Sequence, residues 1–212
     1  IEFAVDLKDK GEGIFYLLQM RPIVQNKELQ IEDLSRIKPE DEILHSNNAL
    51  GHGVISDVHD IIYVKTKNFN AANNTKIATE IDRLNAEFLE KEKNYILVGP
   101  GRWGSSDSWL GIPVKWPQIS NAQVLVELTL DNYKIEPSQC IHFFQNLTSF
   151  GVGYFSINPS TSKDGLFDED YLNKQPAVFE TDYIRHVQFS NPMVIKINGK
   201  KNIGTVLKPE QI

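Results

Sequence analysis

Three residues near the start of the chain, Glu2, Gln19 and Arg21, are of types that suit one piece of chemistry. Residues 1 to 7 alternate, with Ile1, Phe3, Val5 and Leu7 on one side and Glu2, Ala4 and Asp6 on the other, the two-residue period of a half-buried strand. Residues 14 to 20 read as a second strand ending before Arg21-Pro22, so the two form a hairpin. With residues 8 to 13 as the loop, Leu7 faces Ile14 and Glu2 lies opposite Gln19, while Phe15, Leu17, Gln19 and Arg21 share one face. A carboxylate and an amide oxygen are suitable ligands for a hard cation such as Mg²⁺, and a guanidinium grips a phosphate with two parallel hydrogen bonds. The same spacing also fits a plainer arrangement, an exposed Glu2–Arg21 ion pair beside a strand-end glutamine.

A second constellation follows the apolar run Tyr95 to Val98, where Gly99-Pro100-Gly101-Arg102-Trp103-Gly104 leads into Ser105-Ser106-Asp107. Glu127 lies 23 positions beyond Gly104, so the letter pattern of a dinucleotide fingerprint is met. That motif works by starting a helix at the pyrophosphate, and Gly111, Pro113 and Pro117 forbid a long helix here, which argues against NAD. Two readings stand. In one, Gly99, Gly101 and Gly104 allow close backbone approach while Arg102, Ser105 and Ser106 donate to a phosphate or carboxylate. In the other, Trp103 and Trp109 plug the core and Arg102 pairs with an acidic neighbour.

The five histidines mark no catalytic triad. His52 and His59, with Asp57 and Asp60, are of types that could complete a metal or acid/base cluster but read more simply as turn residues near a strand start, and His142 with Asn146 fits either a pocket lining or the polar outer face of a helix. No catalytic residue is assigned.

The elements that must hold these residues are short. After the hairpin, Asn26 to Glu42 is polar with few apolar anchors and reads as a linker, dividing residues 1–25 from a domain of 43–212. The clearest helix is Thr75 to Lys93, where Ile77, Ile81, Leu84 and Phe88 form a core stripe and Glu87 pairs with Lys91 on the wet side. A second helix is expected over 137–150, with Cys140, Phe144 and Leu147 inward. Strands are expected at 61–64, 95–98, 123–130, 152–157 and 183–189, then a hairpin of 193–197 with 200–207 turned by Asn198-Gly199. The expected class is α+β, with strands outnumbering helices.

Composition removes several functions. The 212 residues carry a net charge of −6 with no Lys/Arg stripe, against nucleic-acid binding by phosphate neutralisation. No apolar run reaches the ~18 residues of a membrane helix. Cys140 is the only cysteine, so no intrachain disulfide forms and a reducing, cytoplasmic setting is expected. The chain opens Ile1-Glu2-Phe3-Ala4-Val5, directly as a strand and without an initiator Met, and is expected to be the tail of a longer protein.

Ile1-Glu2-Phe3, followed by Tyr16-Leu17-Leu18-Gln19-Met20-Arg21-Pro22, resembles the end of the nucleotide-binding domain of the pyruvate phosphate dikinase and phosphoenolpyruvate synthase family. The resemblance implies the final hairpin of an ATP-grasp domain, with Glu2 and Gln19 on Mg²⁺ and Arg21 on an ATP phosphate. It covers residues 1 to 22, with a longer turn than the family's and Phe3 where Trp is also common; the glycine-rich loops of such a site would lie upstream. Leu110-Gly111-Ile112-Pro113 echoes that family's phosphohistidine segment, but Ser105-Ser106-Asp107 lacks the histidine, so none is assigned. The Gly99–Asp107, Leu110–Val114 and His142–Asn146 segments are similar to a C-terminal region attached to dikinase-like relatives. The expected function is therefore the C-terminal part of an ATP-dependent phosphotransferase, with ATP, Mg²⁺, an upstream ATP-grasp domain and pyruvate, phosphoenolpyruvate or another small anion as partners. The alternative is a regulatory module that binds an anionic metabolite through Gly99–Asp107.

Overall fold

The computed structural model describes residues 2–7, 13–19, 34, 37–138, 147, 150–159 and 165–209. The chain divides into two compact units, residues 1–30 and residues 31–212.

The first unit is an antiparallel pair, β1 (Glu2–Leu7) and β2 (Gly13–Gln19). Its register corrects the expected one. Leu7 pairs with Gly13 rather than Ile14, and the offset persists through Phe3↔Leu17. A bulge between Glu2 and Phe3 then restores Glu2↔Gln19. The extra residue is Leu18, and a bulge of this kind interrupts the alternation of faces along its strand. Both faces of the pair carry exposed apolar residues, with Phe15 60% and Leu17 54% exposed on one and Ile14 40% and Tyr16 47% on the other. The expectation of one wet and one dry face does not hold.

The second unit is α+β. In chain order it runs β3 (Glu42–Ser46), β4 (Ala49–Leu50), β5 (Gly53–Val64), α1 (Asn74–Glu90), β6 (Tyr95–Pro100), β7 (Arg102–Trp103), β8 (Gly111–Ile112), β9 (Ala122–Leu128), β10 (Gly153–Ile157), β11 (Gly165–Phe167), α2 (Glu169–Asn173), β12 (Ala177–Glu180), β13 (Ile184–Asn198) and β14 (Ile203–Leu207). Ten of these strands form one sheet ordered β11-β3-β14-β13-β5-β6-β9-β10-β4, with β12 added beside β13. Strands β5, β6, β9 and β10 are mutually parallel and the other pairings are antiparallel. Because β3 and β4 are joined by Asn47 and Asn48 yet sit near opposite ends of this order, the sheet curls until its ends meet. Ser46 Oγ donates to Ser156 O at 2.7 Å and Ser156 N to Asn48 O at 3.1 Å across that seam.

Strand alternation sorts the core into two clusters. Ile61, Tyr63, Ile96, Val98, Val124, Val126 and Phe155 fill the inside of the curl, and Ile62, Val64, Tyr95, Leu97, Leu125 and Tyr154 face the other way, in the cluster with α1. The predicted stripe Ile77, Ile81, Leu84 and Phe88 is buried there, with Glu87 3.9 Å from Lys91 on the exposed side. Helix α1 stops because Glu92 adopts φ 52°, letting Glu92 N donate to Leu89 O and Lys93 N to Phe88 O, a Schellman closure.

Several boundaries move. The strand expected at 61–64 runs from Gly53, and the two expected at 183–189 and 193–197 are one strand, β13, whose register slips around Asn191-Pro192, where a residue without an N–H is tolerated. Strand β3 was hidden at the edge of the polar stretch because Glu42 is buried, accepting from Thr205 Oγ1 at 2.7 Å and contacting His45 Nδ1 at 2.9 Å. The helix expected over 137–150 lies largely outside the described residues. No helix among the described residues is long and apolar enough to cross a membrane.

Candidate functional site

In the first unit the structure brings Glu2 and Gln19 together as direct backbone partners. Arg21, the third member of that set, lies outside the described residues.

In the second unit, the segments leaving the carboxyl ends of the parallel strands β5, β6 and β9 converge, the end at which parallel sheets carry their ligands. Phe69, after β5, lies 5.0 Å from the ring of Tyr133, after β9. The Tyr133 hydroxyl donates to Trp109 O at 2.9 Å, and Arg102 Nε donates to Glu136 O at 2.8 Å. Asn74, the fully buried first residue of α1, donates from Nδ2 to Ser108 O and Gly111 O at 2.8 and 3.0 Å, which pins the helix to the loop after β6. Its Oδ1 has no hydrogen-bond partner among the described residues. Burial pushes the Tyr133 phenol up, and the Asp107 carboxylate adds to this while Asn74 and Arg102 oppose it.

The glycine loop occupies this place, but its backbone donors from Gly101 to Gly104 are already used. Gly101 N donates to Leu128 O at 2.9 Å, Arg102 N to Leu110 O at 3.1 Å and Gly104 N to Ile112 O at 3.0 Å. Trp103 N donates to Glu127 Oε1 at 2.9 Å. Gly101 and Gly104 have φ of 72° and 75°, so the left-handed turns explain two of the glycines. Gly99 is required by packing, since a Cβ there would lie 2.6 Å from Trp103 Cζ2. Trp103 itself is buried, with Nε1 donating to Val126 O at 2.9 Å, and its burial contributes about 3 kcal/mol. Trp109, by contrast, is 63% exposed.

Arg102 meets a main-chain carbonyl rather than an acidic side chain, and its outer nitrogens have no partner among the described residues. Ser105 Oγ donates to Asp107 O at 2.7 Å and accepts from Asp107 N at 3.2 Å, closing its own turn. Ser106 lies in the same turn. The arrangement thus has the form of a tryptophan-anchored turn, in which no backbone N–H from Gly101 to Gly104 is left to cradle an anion.

Glu127 holds this turn in place. Oε1 accepts from Trp103 N at 2.9 Å and Ser138 Oγ at 2.8 Å, and Oε2 from Ser138 N and Tyr154 OH, each at 2.8 Å. Glu127 is 3% exposed. Burial raises the Tyr154 phenol, and the adjacent Glu127 charge raises it further. In the sequence Glu127 only completed the letters of a dinucleotide fingerprint; its partners make it an anchor between β9, the glycine loop and β10.

Other polar clusters are accounted for internally. His186 Nε2 lies 2.7 Å from Asp60 Oδ1, both buried, with Gln188 Nε2 donating to the same carboxylate and the Phe88 ring 5.4 Å from the imidazole. His59 Nδ1 donates to Phe189 O at 3.1 Å, and Asp57, His59 and Asp60 lie within strand β5 rather than in a turn. The Glu42 contact raises the pKa of His45. His142 and Asn146 lie outside the described residues. Among the described residues, no group of three or more His, Cys, Asp or Glu is placed to hold a metal. Asn74 and Tyr133 carried no signal in the sequence, because their role follows from three loops meeting at one end of the sheet. Comparison with protein-family models, with characterised proteins and with solved structures found no match.

Proposed function

We infer that the chain is part of an ATP-dependent phosphotransferase of the pyruvate phosphate dikinase and phosphoenolpyruvate synthase type, and that its first unit supplies the closing hairpin of the nucleotide site. The observation that carries this reading is the direct pairing of Glu2 with Gln19, regained through the Leu18 bulge after a register that would otherwise separate them. The two residues so paired are a carboxylate and an amide, the oxygen donors a hard cation takes. Exposed apolar residues on both faces of the hairpin add support, because strands of that pattern are covered by a layer on each side. The upstream ATP-grasp domain would be that cover.

In this reading Glu2 and Gln19 orient the metal against the nucleotide, and Arg21 binds a phosphate oxygen bidentately. Bound Mg²⁺ offsets charge on the transferring phosphoryl group. None of the three residues exchanges a proton; their work is positioning. The second unit, residues 31–212, packs its own core; in this reading the chemistry belongs to the nucleotide side. The test uses the full-length protein as encoded, with Glu2→Ala, Gln19→Ala and Arg21→Ala. Each is expected to lower ATP consumption on the order of a hundredfold, with a linear loss of response to added Mg²⁺ for the first two. ATP consumption unchanged in Glu2→Ala and Arg21→Ala would overturn the assignment.

A further inference from the structure

A cleft of about 490 Å³ opens where the end of β5, the segment leading into α1, α2 and the turn between β12 and β13 meet. Most of its charge is spent within the protein. Lys65 Nζ is 2.7 Å from Glu180 Oε1 and donates to Thr181 O at 2.6 Å, and Arg185 also pairs with Glu180. The Lys65 hydrogen bond depresses the pKa of Glu180. Glu169 accepts from both the backbone N and the hydroxyl of Thr66. Three carboxylates on the wall, set against two lysines of which one is occupied, disfavour phosphate and other anions.

What the wall leaves for a ligand is mostly amide. The helical run that becomes α1 begins with a 3-10 turn at Ala71–Asn73 and is capped by Asn70, whose Oδ1 accepts from Ala72 N at 2.9 Å, so Asn73 has no capping duty and makes no side-chain cap bond. It lines the cleft instead. The Asn173 Oδ1 accepts from Tyr63 OH at 2.9 Å, which fixes that amide. Asp182 has no ion-pair partner among the described residues and also lines the cleft, beside Tyr183 and above Val64 and Ile77. A planar amide presents a donor and an acceptor together, a carboxylate accepts two hydroxyl protons, and an aromatic and aliphatic floor suits C–H surface.

From this combination we propose that the cleft binds a neutral, hydroxyl-rich ligand, a saccharide, through Asn73, Asn173 and Asp182. The proposal stands apart from the hairpin and does not depend on the phosphotransfer reading.

The test is calorimetric titration of the full chain with glucose, N-acetylglucosamine, maltotriose and cellotriose, with inorganic phosphate and glycine as controls. Binding of at least one sugar with Kd of about 10⁻⁴–10⁻³ M is expected, as suits an open cleft, with no uptake of either control. Asn73→Ala and Asp182→Asn should each weaken it about tenfold or more while the thermal unfolding profile stays unchanged. Three results overturn the proposal: no sugar binding up to about 10 mM, binding of phosphate or glycine in preference to every sugar, or sugar binding indifferent to both variants.

Discussion

Replacing Glu127 by Gln changes one atom type and almost no volume, so its effect isolates hydrogen bonding. The carboxylate accepts four bonds, two on each oxygen, and each oxygen faces one backbone N–H that cannot turn away: Trp103 N on Oε1 and Ser138 N on Oε2. The other two donors, Ser138 Oγ and Tyr154 OH, can rotate and accept from an amide. Whichever way the glutamine side chain lies, its NH₂ therefore points at a fixed N–H and leaves it unsatisfied. That costs about 1–3 kcal/mol, and loss of the charge on the remaining acceptor adds about 1 kcal/mol, so Glu127→Gln should destabilise by about 3 kcal/mol. Tyr154→Phe removes one of four bonds and should cost about 1 kcal/mol. Urea unfolding followed by tryptophan emission reads this directly, because buried Trp103 is itself a partner. A Glu127→Gln protein within about 1 kcal/mol of wild type, or one less destabilised than Tyr154→Phe, would refute the anchoring role.

Two further outcomes follow from the geometry. At Gly111 a Cβ would lie 2.0 Å from Arg102 O, a contact between two backbones where β7 meets β8, so Gly111→Ala is expected to cost about 3 kcal/mol in the same assay and to disturb the glycine loop; a loss under about 1 kcal/mol would mean the strands separate freely. The Glu42 contact holds the folded His45 pKa above its usual ~6.5, so its stabilisation is complete below that value and disappears as pH rises through the raised folded pKa. The stability gap between wild type and His45→Asn should therefore shrink from about pH 5.5 to 8, and a gap that is flat or grows across this range would contradict the pairing.

Local periodicity made some of this structure legible. The α1 stripe needed only 3.6-residue spacing, and all four named residues are buried. The Glu2–Gln19 pairing was also reached from the sequence, though with the wrong loop length, and a bulge that no residue type announced brought the pair back into register. The glycine loop could be read two ways because Gly, Arg and Ser serve a turn as readily as an anion. What separates the readings is the distant Glu127, Leu128 and Ile112, whose oxygens take the loop's N–H groups. Strand β3 escaped because Glu42 is a buried charge whose partners His45 and Thr205 come from the same strand and from β14, far along the chain. Strand β13 was divided at Asn191-Pro192, where proline signals an end but the sheet accommodates it as an irregularity.

Titration of the full-length encoded protein with ATP, with and without Mg²⁺, comparing wild type with Glu2→Ala, bears most directly on the proposed nucleotide role. The account predicts Mg²⁺-strengthened ATP binding in the wild type and loss of that strengthening in Glu2→Ala, with Mg²⁺-free binding little changed. Equal Mg²⁺ dependence in the two proteins, or no ATP binding in either, would contradict it.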